Sequence, residues 1–125
     1  MVNWKAVGIG AIASIVLGIV LGVIPVINAF AWLIAGLGAG IIAVYIAKDK
    51  VIGKAAMTGL LAGLIAGIIS GVLAMTVLAG VGGAAFGALG GAVGAAIGVV
   101  ALIVVVVLDV ILGAVGGIIG KFLIK

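Results

Sequence analysis

One ionisable residue interrupts the long apolar runs of this chain: Asp109, in VVVVLDVIL. A carboxyl at the centre of a bilayer costs about 2.5–3.5 kcal/mol on insertion scales, so such a residue is a candidate proton or cation site. Two plainer placements compete with that reading. Asp109 can open a helix at a membrane surface, or be hydrogen-bonded between helices. No basic residue lies within a few turns of it in sequence. Other chemistry is excluded by composition. There is no cysteine and no histidine, which removes disulfides, thiol chemistry and the usual metal ligands. No nucleophile–base pair or phosphate loop can be assembled, and the GxGxxG look-alikes have no strand before them. The expectation is no catalytic residue, no metal, no cofactor and no enzyme activity.

The second pattern is steric. Small residues recur every four positions at Gly10, Ser14, Gly18 and Gly22, and again at Gly59, Gly63, Gly67 and Gly71. Gly36/Gly40, Gly83/Gly87/Gly91, Gly90/Gly94/Gly98 and Gly113/Gly117 continue it. This spacing keeps each ladder on one helix face, where missing side chains let another backbone approach and gain dispersion contacts. Packing within one bundle uses such ladders. Ladders on every helix exceed what one small interior needs, so some are expected to face other subunits. The remaining polar residues, Asn28, Thr58, Ser70 and Thr76, suit interhelical or back-bonded hydrogen bonds.

The elements that carry these residues follow from composition. Of 125 residues, 69% are hydrophobic and 6% charged, against about 25% charged in soluble domains. Such a chain cannot cover itself with polar surface, so lipid must. The glycines lack a Gly-X-Y period, and bulky Ile, Val and Leu between them argue against a linker. A membrane β-barrel would alternate apolar and polar residues, whereas these runs are unbroken.

The expected fold is all-α: one polytopic membrane domain over 1–125, with four transmembrane helices as two hairpins. The spans fall at approximately 6–24, 29–47 and 55–78, with one more within 84–120. Pro25 breaks the chain between the first two, and Asn28 is a candidate cap for the second. The last run, from somewhere in 80–84 to Lys121, would make about 55 Å of helix, too long for one span. Either the Gly-rich stretch 80–91 is a wide outer turn, or 110–125 is a separate inner segment.

Charge sorts with four spans. Lys5, the Lys48/Lys50/Lys54 loop and Lys121/Lys125 share one side, while the turns near Pro25 and Gly80 carry no charge. The net charge of +4 thus reads as a positive-inside signal rather than a nucleic-acid footprint, and places both termini in the cytoplasm. Trp4, Tyr45 and Phe122 would flank the inner surface; Phe30, Trp32 and Phe86 the outer one. Lys5, an apolar core and Ala29-Phe30-Ala31 imitate a signal peptide with its cleavage site; that segment is read as a retained span.

Setting Lys5 against Lys54 aligns KAVGIGAIASIVLGIVLGVI with KAAMTGLLAGLIAGIISGVL, matching Gly10/Gly59, Gly18/Gly67 and Gly22/Gly71. A duplication would give parallel internal repeats, although low complexity also produces such matches. The opening MVNWKAVGIG, the Pro25 turn, the short lysine loop and the Gly-rich second half resemble a family of small archaeal membrane proteins of unknown function. The resemblance implies an archaeal cytoplasmic membrane and supplies no activity. The function expected is structural: an accessory subunit or homo-oligomer in a membrane assembly, with the lipid bilayer as its other partner. The alternative is a small ion- or proton-conducting component using Asp109.

Overall fold

The computed structural model describes residues 2–125, Asn28 and Ala29 in their backbone only. Every element among these residues is helical: α1 (Trp4–Gly22), α2 (Asn28–Ala47) and α3 (Ile52–Leu123). α1 starts where the Asn3 side-chain oxygen accepts the Ala6 N–H at 3.2 Å, satisfying one orphan donor of the first turn. It ends ahead of Pro25, which has no N–H to continue the ladder. The turn is closed by the Ile24 and Ile27 N–H groups, which donate to the Leu21 and Ile24 carbonyls. Ile27 holds the cap position of α2 with no side-chain bond; the side chain of Asn28, the expected cap, lies outside the described residues.

α2 ends on Lys48, which turns left-handed at φ 55° and ψ 38° and donates its N–H to the Val44 carbonyl. Lysine in that region is uncommon. The next residue anchors it. Asp49 is only 3% exposed; its carboxylate accepts the Thr58 hydroxyl at 2.6 Å and lies 3.1 Å from the Lys54 ammonium. The α2–α3 connection is therefore pinned to the first turns of α3 through a buried, fully partnered carboxylate.

α3 corrects the expected fold. The second half of the chain is a single helical element of 72 residues with no loop inside it, interrupted only by the non-helical backbone of Gly87, so the described residues form three helices rather than the expected four in two hairpins. Straight, it would reach about 108 Å. It does not run straight. Gly87, at φ 72° and ψ −155°, reverses it within a single residue. Positions that meet across the reversal descend on one limb as they rise on the other: Gly59 with Gly117, Gly63 with Asp109, Gly67 with Val106, Gly71 with Leu102, Gly98 with Met75, Gly94 with Leu78 and Gly82 with Gly90. Limbs 52–86 and 88–123 thus lie antiparallel. The run that looked too long for one span has no wide turn at 80–91, and 110–125 is not a separate segment. The two halves differ in element length: α1 and α2 have 19 and 20 residues and α3 has 72. Nothing polar and no proline interrupts 55–108 apart from Ser70 and the threonines, so no loop had a sequence signal, and one glycine in a region nearly closed to other residues makes the bend.

The interior is built from small residues. Ala6, Ala11, Ala39, Ala43, Ala55, Ala62 and Ala66 are buried with the ladder glycines, and the largest fully enclosed side chains are Val7, Val44 and Thr58. Large apolar side chains point outward along all three helices. That is the reverse of a water-soluble core and fits a chain whose outer face meets lipid, where close backbone packing rather than hydrophobic burial holds helices together. α1, α2 and α3 are each long and apolar enough to cross a membrane.

Candidate functional site

Asp109 sits in the limb 88–123, twelve residues before Lys121, or about 18 Å along the helix axis. It is 7% exposed. Two ladder glycines make its room. A methyl group at Gly36 of α2 would stand 3.0 Å from Asp109 Oδ1, and one at Gly67 of the facing limb 3.1 Å from its Cβ and 3.4 Å from Oδ2. Gly36 is in turn twelve residues before Lys48, so two independent helices place the carboxyl at one depth. This is the middle of the bundle. Neither placement of Asp109 as a helix start nor as a partner bonded between helices describes it: the residue lies inside α3, and its side chain takes no hydrogen bond from any described residue.

The carboxyl faces a cleft of about 360 Å³ to which every segment of the bundle contributes: Ser14 from α1, Trp32 from α2, Ser70 and Leu73 from the first limb of α3, Val105 and Asp109 from the second. Ser14 is buried, and no described residue bonds the Ser14 or Ser70 hydroxyl. None of these polar oxygens is sealed off without a partner; each reaches the cleft. The cleft is therefore an apolar chamber with one carboxyl and two hydroxyls.

The remaining ladder residues pack backbone on backbone. An added methyl at Gly10 would fall 2.5 Å from the Ala39 carbonyl oxygen of α2; those at Gly40 and Gly59 would both strike the Gly113 carbonyl oxygen; that at Gly63, the Asp109 carbonyl oxygen; those at Gly113 and Gly117, the Gly59 and Ala55 carbonyl oxygens. A methyl at Gly71 would stand 2.9 Å from the Leu102 side chain. Gly18 is looser, 3.6 Å from the Ala35 methyl, and Gly22 ends α1. A methyl at Gly83 would lie 3.8 Å from the Gly91 Cα, one at Gly91 3.5 Å from the Gly83 Cα, and one at Gly87 would meet nothing within 4 Å. Gly116 and Gly120 were not singled out in sequence, yet α2 rests on them through Leu37 and Ile41. Their four-residue spacing was the available signal. The Asp49–Thr58–Lys54 cluster was also missed, and nothing in its spacing distinguishes it from a solvated loop.

A second cavity, of about 630 Å³, lies at the lysine-rich end, lined by Tyr45, Lys48, Lys50 and Lys125 among others. Lys121 stands 5.2 Å from the Phe122 ring centre at the same end. Among the described residues no group of three metal-ligating side chains occurs.

A family model described only as a family of unknown function, DUF5518, matches residues 4–123. No curated protein and no solved structure matches the chain.

Proposed function

We propose, for a chain that belongs to the DUF5518 family of unknown function, a non-catalytic role in the membrane carried by helix packing: a structural or accessory subunit that associates with further copies of itself. The observation that carries this reading is the length of the α3 hairpin. Above Asp109 the second limb continues for about 33 Å to Gly87, while α2 continues only about 12 Å to Asn28. The hairpin tip thus stands about 20 Å beyond the α1–α2 turn. The distance from the lysines to that turn is already about 30 Å, a full hydrocarbon thickness. Yet the projecting tip carries no charge and exposes Phe86 at 81% and Leu89 at 78%. An apolar surface of this kind marks an interaction site. Tips of neighbouring copies cover one another in this reading.

The base of each copy sits in the cytoplasmic membrane as a multi-pass bundle, with the lysines and both termini on the cytoplasmic side; the likeness of its opening MVNWKAVGIG to small archaeal membrane proteins supports an archaeal membrane. Mass measurement of the full chain in mild detergent tests the assembly. A stable oligomer that Leu89→Ser dissociates is the expected result, and a monomer at every concentration would overturn it.

A second reading, a conducting or transporting component, is favoured by the open cleft at Asp109. Cation or proton flux into liposomes that Asp109→Asn abolishes would displace the structural reading.

A further inference from the structure

We infer that the cleft at mid-bundle is a binding site for a monovalent organic ammonium ion with apolar substituents, held by the Asp109 carboxylate. α1 offers Ser14, α2 offers Trp32, and the first limb of α3 offers Ser70; none of the lining residues is basic. The chain's lysines lie at its far end, about 18 Å away along the helix, and Asp49 has already engaged Lys54. Asp109 is thus more than nine-tenths buried, without a hydrogen bond from any described residue, and open to a chamber large enough for a small molecule.

The chamber's chemistry selects among cations. Calcium takes six to eight oxygen ligands and magnesium a rigid octahedron. Here one carboxyl and two hydroxyls are offered, and the carbonyls of the surrounding helices are committed to their own ladders. A bare or hydrated metal ion would face Leu73 and Val105 on its remaining sides. An organic ammonium has the opposite needs. Its alkyl or aryl groups match the apolar walls, its charge is neutralised by the single carboxylate, and Trp32 in the lining attracts it through the ring quadrupole. Gly36 and Gly67 contribute by absence: any side chain there would crowd the carboxyl. The site does not depend on the assembly of hairpin tips.

The test uses the full chain in neutral detergent micelles, with Trp4→Phe leaving Trp32 as the single fluorescent reporter. Benzyltrimethylammonium is titrated beside neopentylbenzene, its uncharged carbon isostere. Saturable quenching by the cation is expected, at least tenfold tighter than by the isostere, and weakened at least tenfold in Asp109→Asn. Gly18→Leu, which fills the chamber from α1 and keeps the carboxyl, is expected to weaken both probes. Equal affinity for the two probes in the parent chain would overturn the assignment without any variant at position 109. Cation binding within twofold of the parent in a helical Asp109→Asn chain would overturn it as well. Neither failure bears on the oligomeric mass, so this site and the proposed assembly stand or fall separately.

Discussion

The base and the tip of the α3 hairpin are the same helix with the same small-residue spacing, yet they pack in opposite ways. At the base, α1 and α2 lean on the two limbs, and Ala55, Thr58, Ala62 and Ala66 are enclosed together with Gly59, Gly63 and Gly67. Between 72 and 108 the buried residues are Gly94 and Gly98 alone. A glycine ladder brings two backbones close, but two helices cannot surround a side chain. Burial of anything larger than glycine waits for a third helix. The base is consequently a finished packing unit, while the tip is a ridge of exposed Val77, Val81, Phe86, Leu89 and Val93.

The contrast can be broken most severely at the base. Gly63→Val would drive its side chain into the Asp109 carbonyl oxygen, with the Gly113 Cα 3.1 Å from the new Cβ. Neither neighbour is a side chain that can turn away, so a loss of about 3 kcal/mol or more is expected in reversible unfolding from mixed micelles. Gly80→Val at the tip meets nothing within 4 Å and is expected to stay within about 0.5 kcal/mol of the parent. If the two cost the same, the division into base and tip fails.

Gly87→Val is next. No atom crowds the position, so its cost is purely conformational, about 1–3 kcal/mol for a side chain held at φ 72°. The cysteine-free chain accepts spin labels at positions 79 and 92, whose separation is expected to widen in the variant while labels at the base stay put. Asp49→Ala is expected to cost about 1–3 kcal/mol, because the enclosed Thr58 hydroxyl loses its acceptor and Lys54 its counter-charge. The smallest effect on the fold of one copy belongs to the tip. Leu89→Ser is expected to change single-chain stability by less than about 0.5 kcal/mol while removing the oligomer. A large loss of single-chain stability instead would mean that the ridge is already covered from within.

Much of this was legible in residue types. The apolar runs and small-residue ladders specify helices that meet backbone to backbone, and the lysines mark one end, because these are consequences of local composition and of a 3.6-residue period. α1 and α2 end at local stop signals, Pro25 and the Lys48-Asp49-Lys50 loop. The reversal in α3 had no such signal. Among seven glycines between 80 and 94, only the backbone angles of Gly87 distinguish it.

Asp109 marks the boundary between the two kinds of knowledge. Its sequence shows a carboxyl inside an apolar run, which follows from residue type alone. Its depth, its freedom from any described partner and its chamber depend on where the second limb of α3 meets Gly36 and Gly67. That register is set by the reversal at Gly87 and by which glycines interlock, contacts between residues 40 to 70 positions apart that no local pattern encodes. Local physics chose helices long and apolar enough to cross a membrane; only the tertiary structure decided which glycines make room for backbone and which make room for a charge.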